Sequence, residues 1–205
     1  IISRNDILKV ISERRSVRHY KNTAVSKTII EQILQAGRMA PSALNKQPWK
    51  FYVLTEKEEI ISMSREIAKI TEGFYHLSYG VDLLNTKDIV FHGAPVVIFI
   101  TSPKENEWGN LDVGMCSQNI MLAAKSLGLD SCPVGLAKFI EYTPGYIKLK
   151  IPKSEQVCLA IVLGYGEENA KSQKKVKKNT IYITNRKSTV NNVVTKFSAF
   201  FSIIN

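Results

Sequence analysis

Residues 112–127 read Asp-Val-Gly-Met-Cys-Ser-Gln-Asn-Ile-Met-Leu-Ala-Ala-Lys-Ser-Leu, and Gly128 follows. Val113, Cys116, Ile120, Ala123 and Leu127 recur at alternating steps of three and four, the spacing of one helical face. Gly128 stands where a helix commonly ends in a left-handed residue. Only Asp112 and Lys125 are charged, so this helix is expected to be covered on most of its sides. Its cover must come from apolar strands. Residues 95–101 and 157–164 are apolar runs that read as buried strands, and residues 49–55 add a strand rich in aromatic and β-branched side chains.

Further helices are expected on either side. Ile7, Leu8, Val10 and Ile11 form an apolar stripe over residues 6–14. Thr28 with Glu31 resembles a capping box, and Ser26 competes as the N-cap. Ile29, Ile30, Ile33 and Leu34 then line one face of a helix that ends near Gly37, before Pro41. Residues 56–71 read as a charged surface helix, and residues 73–88 as a poorly patterned mobile segment near a pocket. Residues 180–184 suit a short strand, and residues 193–204 return to apolar character and need a surface to pack on. Strands and helices alternate irregularly. The reading is a three-layer α+β domain, since a doubly wound sheet needs more regular βα units.

At 205 residues, one domain able to bury its own core is the expectation. Hydrophobic residues make up 44% and charged residues 22%, an ordinary globular balance. The longest apolar run, residues 94–100, is far short of the roughly 20 residues that cross a membrane. The first residues lack the pattern of a secretion signal. Cys116, Cys132 and Cys158 are odd in number and lack CxxC spacing, which argues against a disulfide or zinc scaffold and fits a cytoplasmic protein. Each reads as a small buried apolar residue.

The net charge of +10 is uneven. Lys171, Lys174, Lys175, Lys177, Lys178, Arg186, Lys187 and Lys196 occupy a tail without a single Asp or Glu, so eight of the ten charges lie beyond residue 170. The lysine cluster lacks interleaved aromatics and reads as a solvated connector, so nucleic acid is not the expected partner.

Four short constellations bear on chemistry. Arg14-Arg15-Ser16-Val17-Arg18 points two guanidinium groups the same way, whether helical or extended. A phosphate between them would relieve their repulsion and accept from Ser16, while a solvated basic helix end is the plain alternative. Pro41-Ser42-Ala43-Leu44-Asn45-Lys46-Gln47-Pro48-Trp49 is a proline-bounded turn that either offers Ser42, Asn45 and Gln47 to a ligand or satisfies itself. Cys132-Pro133-Val134-Gly135-Leu136 either lets a flat ligand approach the backbone at Gly135 or is an ordinary turn. Gly164-Tyr165-Gly166 ends a strand; the third glycine of a dinucleotide loop is missing and Glu167 and Glu168 follow. No P-loop, HExxH or GxSxG is present. His19, His76 and His92 have no metal-ligand spacing and read as local structural residues, and no metal site is expected.

The ordered set resembles the FMN-dependent nitroreductase family over roughly residues 6–186. Its carriers are Glu13 to Arg18, Ala40 to Trp49, Gly93-Ala94-Pro95-Val96-Val97-Ile98, Asn119 to Ala124 with Leu127-Gly128-Leu129, Ile161-Val162-Leu163-Gly164-Tyr165, and Arg186-Lys187. The resemblance implies a three-layer fold with a central mixed, mainly antiparallel sheet, and two chains intertwined as a homodimer. It implies one domain over residues 1–205, with 169–205 a basic extension packing on the partner. FMN would lie at the dimer interface, its phosphate held by Arg14, Ser16 and Arg18, with Arg15 adjacent and Arg186 adding a cation. Pro41, Ser42, Ala43, Asn45 and Gln47 would reach it from the other subunit. Pro133, Val134, Gly135 and Leu136 would lie along the ring, with a backbone N–H near Gly135 facing flavin N5.

By that resemblance the chain passes hydride from NADH or NADPH through FMN to a nitroaromatic, quinone or related acceptor. The flavin carries the redox chemistry, so no catalytic side chain is assigned. Two positions depart from common family patterns: Thr184 where many members carry lysine, and Val134-Gly135 where several carry an acid. Asn85 and Lys87 are unassigned. The alternatives are a specialised FMN enzyme (dehalogenase, enoate reductase or flavin-fragmenting), or a non-enzymatic FMN- or nucleic-acid-binding protein.

Overall fold

The computed structural model describes residues 4–79, 88 and 90–167. The lysine cluster, Arg186, Asn85, Lys87, the 180–184 strand and the apolar end lie outside the described residues. The elements run α1 (Arg4–Glu13), α2 (Lys27–Arg38), β1 (Lys50–Leu54), α3 (Lys57–Tyr79), β2 (Val96–Pro103), α4 (Gly109–Ser126), β3 (Asp130–Val134), α5 (Gly145–Leu149) and β4 (Glu155–Gly164). Short 3-10 turns occupy Ala43–Asn45 and Gly135–Tyr142.

The sheet has the order β1-β2-β4-β3, and all three pairings are antiparallel. Among the described residues, parallel character enters through a bridge between Ser16 and Ser131. β2 is buried over seven of its eight residues, and it sorts its side chains by parity. Val97 and Phe99 point to one core, with Ile60, Met63 and Ile67 of α3 and with Ala137 and Ile140. Val96, Ile98 and Ile100 point to the other, with Ile30 and Ile33 of α2 and Val113, Cys116 and Ile120 of α4. A strand whose alternate residues are all apolar needs a layer on each face, and α3 and the α2–α4 pair supply them. The three-layer α+β fold read from the sequence is therefore the observed one.

Four local readings change. Ser26 caps α2 by accepting from Ile29 N, and the Thr28–Glu31 capping box does not form. The helix expected to stop near residue 71 continues as α3 through Gly73 to Tyr79. One exposed glycine lowers helix propensity by only about 1 kcal/mol, too little to end a helix packed along its length. Residues 130–134 form an edge strand, an element that the sequence reading of 132–136 as a ligand platform or an ordinary turn does not include. Finally, Cys116 and Cys132 are buried, but Cys158 is only partly so.

α2 and α4 cross in close contact. A Cβ at Gly37 would stand 2.8 Å from Ile120 Cγ1 and 3.2 Å from Cys116 Sγ. Glycine here serves the crossing rather than the helix end. Gly128, by contrast, has φ +79 and terminates α4 as the sequence indicates.

The sheet also carries a buried carboxylate. Glu155 at the start of β4 accepts from Thr101 Oγ1 at 2.6 Å and Tyr52 OH at 3.2 Å, and pairs with Lys50. It thereby ties β1, β2 and β4 together beside the bulge at Ile100/Thr101. Burial alone would raise its carboxyl, but Lys50, Thr101 and Tyr52 together hold it below its ordinary value.

Two outcomes follow from this packing. Gly37→Ala should destabilise the fold by about 1–3 kcal/mol in denaturant titration, although an unobstructed helical Gly→Ala would stabilise by about 0.5–1 kcal/mol. Glu155 has a depressed folded-state pKa, so its contribution is present above the ordinary carboxyl pKa and is lost as pH falls through the folded value. The melting temperature of the native chain should therefore drop more between pH 6 and pH 3 than that of Glu155→Gln.

Candidate functional site

The first half of the site is built on the free edge of β3. α1 ends at Glu13, and the chain then runs extended. Ser16 bridges Ser131, Val17 N donates to Ser131 O at 3.1 Å, and Tyr20 bridges Gly166. Val17 and Tyr20 turn into the core, and Tyr20 OH donates to Val17 O at 2.7 Å. Arg14 N–H still donates to Val10 O at 2.9 Å and closes the last turn of α1, and Ser16 and Arg18 then flank the inward-facing Val17 on the extended stretch. After Arg14, the two geometries open to the sequence are thus resolved in favour of the extended one. Arg15 turns back to donate to Arg14 O at 2.7 Å.

Arg14, Ser16 and Arg18 all act on the Cys132 thiol of β3. Burial pushes the Cys132 thiol up, while Arg18, the Ser16 hydroxyl and Arg14 all pull it back. Arg14 Nη1 is buried and has no hydrogen-bond partner among the described residues, and neither does the buried Ser131 Oγ. A buried guanidinium donor left unpaired is costly, and an anion accepting from it removes that cost. His92 sits beside Arg18 at φ +60. Burial holds it down at about 4, with Arg18 and His19 adding to the effect and Asp88 opposing it.

β3 leads from this spot to Pro133, Val134, Gly135 and Leu136. Val134 is buried, Pro133 and Leu136 are half-buried, and Gly135 is exposed with nothing within 4 Å of where a Cβ would stand. Open space above this backbone can admit a flat group. Four strand steps separate Ser131 from Gly135, about 13 Å. A phosphate held at Arg14 and a ring lying over Gly135 fit the two ends of that distance, so the residues present suit FMN.

The second half is the loop at residues 41–48. Leu44, Asn45 and Gln47 have φ of 53, 54 and 45, conformations costing about 1–2 kcal/mol for residues with a Cβ and least for asparagine. The loop is held internally. Gln47 N donates to Ser42 Oγ at 2.9 Å, and Gln47 Nε2 donates to Asn45 Oδ1 at 2.9 Å. Ala43 N donates to Asp112 Oδ1 at 3.0 Å. The polar side chains expected to face a ligand are engaged with one another in this protomer, while Leu44 projects with 89% exposure.

One protomer does not bring the two halves together. The loop enters β1, and residues 14–18 line β3, at opposite edges of the sheet. Four strand spacings make about 19 Å. Helix α4 gives a second ruler. Asp112 in its first turn anchors the loop, and Lys125 in its last turn pairs with Asp130 of β3 at 3.1 Å. Those thirteen residues span about 20 Å. α1 leaves Ile7, Leu8 and Ile11 exposed, and α4 leaves Leu111 and Met115 exposed.

The sequence reading missed Asp112 and Ser131. Asp112 is 1% exposed, and its position in the first turn of α4 was the available signal. Ser131 carried none, because the five-residue β3 contains a proline. Trp108 lines a cleft with Lys46 and Pro48. No helix among the described residues is long and apolar enough to cross a membrane.

Known proteins of this shape and sequence have been characterised. The chain is 29% identical over 201 residues to a 4-nitrobenzoate reductase of Pseudomonas putida, covering 81% of this chain and 88% of that one. It is 33% identical over 174 residues to a protein of Methanothermobacter thermautotrophicus provisionally named an NADH dehydrogenase/NAD(P)H nitroreductase, covering 82% and 81%. Among solved structures it is similar to a nitroreductase with bound FMN from Desulfitobacterium hafniense, with a TM-score of 0.78, 26% identity, and coverage of 89% of this chain and 100% of the other. Residues 11–165 match the family model described as the nitroreductase family, which spans α1 through β4, and the chain therefore belongs to that family of oxidoreductases.

Proposed function

We propose that this chain is an FMN-dependent oxidoreductase that takes hydride from NADH or NADPH and delivers electrons to a nitroaromatic, quinone or related small acceptor. The observation that carries the reading is the buried, unpartnered Arg14 Nη1 beside Ser16, Arg18 and Ser131. FMN supplies the two-electron chemistry when bound.

The residues divide the work of holding it. Arg14, Ser16 and Arg18 bind the phosphate, with Arg15 bracing the Arg14 carbonyl and Arg186 assigned by the family resemblance alone. A doubly charged phosphate offsets the repulsion between the two arginines. Pro133, Val134, Gly135 and Leu136 form the platform under the ring. Its exposed glycine lets a backbone N–H approach N5 without a side chain between them.

Pro41, Ser42, Ala43, Asn45 and Gln47 reach the same flavin from a second copy of the chain. The separation of about 20 Å within one protomer supports that division. So do the unpartnered apolar side chains of α1 and α4, which a homodimer would cover. The strained, internally bonded loop is already set in shape, so it loses little freedom on docking. Residues 1–205 then act as one nitroreductase-like domain with a basic C-terminal extension.

Purified protein should be yellow, and NADH or NADPH should bleach its flavin absorbance in the absence of oxygen. Protein that stays colourless after incubation with FMN contradicts the assignment. Arg14→Ala and Arg18→Ala should each weaken FMN binding about tenfold or more, since each removes a charge-assisted hydrogen bond. Fluorescence titration with FMN measures this, and unchanged affinity in the double variant removes the proposed phosphate role.

A further inference from the structure

A cleft of about 640 Å³ opens between the 41–48 loop and the start of α4, and none of the residues assigned to FMN lines it. Its lining includes Lys46, Pro48, Glu105, Asn106, Glu107 and Trp108. The turn that carries the last four is closed by hydrogen bonds. Asn106 N donates to Pro103 O at 3.1 Å, Gly109 N to Asn106 O at 2.9 Å, and Trp108 N to Asn106 Oδ1 at 3.2 Å. Trp108 nevertheless leaves 56% of its surface exposed. Asn106 Nδ2 is buried within the turn beside Gly109, without a hydrogen-bond partner among the described residues, and holds the turn rather than facing the cleft. A preset indole beside open volume describes a place for a flat heterocycle.

The charges narrow the choice. Glu105 and Glu107 are acceptor-only groups suited to a vicinal diol, and Lys46 is a point cation suited to a phosphate. A base, a ribose diol and a pyrophosphate occur together in the adenosine half of a nicotinamide dinucleotide. A single-ring nitro compound offers neither a diol nor a pyrophosphate. Lys46 stands between Asn45 and Gln47, so on the flavin reading above, a dinucleotide reducing the flavin passes this lip. A 2′-phosphate there would face two carboxylates.

We propose that this cleft binds the adenosine half of NADH. Trp108 stacks on the adenine, Glu105 and Glu107 accept from the ribose hydroxyls, and Lys46 meets the pyrophosphate. The two carboxylates make the enzyme prefer NADH to NADPH. The preference rests on like-charge repulsion near the surface and should amount to about tenfold.

The test needs neither flavin nor turnover. ADP-ribose and 2′-phospho-ADP-ribose are titrated into the purified full-length protein while tryptophan emission is followed. Trp49 is buried and gives a constant background. ADP-ribose should quench the emission and bind about tenfold more tightly than its 2′-phosphate. Trp108→Leu should abolish the quench, and Glu105→Gln with Glu107→Gln should bring the two affinities together. In turnover the same double variant should lose the NADH preference in kcat/KM.

Failure to bind ADP-ribose, equal affinity for both probes, or a quench that survives Trp108→Leu overturns the proposal. So does a preference unmoved in the double glutamine variant. Protein that binds ADP-ribose but never FMN sinks the flavin reading instead, and yellow, reducible protein that ignores ADP-ribose sinks only this one.

Discussion

The antiparallel pairing of β2 with β4 is the constraint on which the rest of the molecule rests. Both strands are buried on both faces, so each demands a full apolar layer above and below. Burying each large apolar side chain contributes about 1.5–3 kcal/mol, and β2 buries Val96, Val97, Ile98, Phe99 and Ile100 in succession. Once the two layers are in place, the sheet has only its edges left for function. β1 closes one edge and β3 the other. The chain then places one polar constellation beside each.

That placement makes the electrostatics intelligible. Residues 14–18 pair with β3 through backbone groups, so their side chains are free to present cations outward. Arg14 and Arg18 carry like charges that repel each other, and an orphaned guanidinium nitrogen among them is unstable without an anion. Glu155 shows the opposite solution elsewhere in the same sheet. There a buried carboxylate is satisfied by three partners from two neighbouring strands, and it serves the fold. A satisfied charge marks structure, and an unsatisfied one marks a site awaiting a ligand.

Much of the architecture was legible in the chain itself. The three-and-four spacing from Val113 to Leu127 located α4, Gly128 its end, and the apolar runs both central strands. Residues 130–134 escaped because a five-residue edge strand containing Pro133 carries no periodic signal. The length of α3 escaped because Gly73 looks like a stop in sequence, while packing further back along the helix holds it together. The polar turn at residues 41–48 was readable as a rigid loop. The tether from Ala43 to Asp112 was not, because it joins groups 69 positions apart.

By itself, the sequence determined the layers and the residue types fit for a flavin phosphate, because periodicity and side-chain chemistry are local properties. Only the tertiary structure decided that the chain after Arg14 runs extended, since the sequence permits a helical or an extended course and the bridge from Ser16 to Ser131 selects between them. It alone set the two halves of the site at opposite sheet edges. Strand order follows from which apolar faces find each other across the whole domain, and no stretch of sequence encodes that distance on its own.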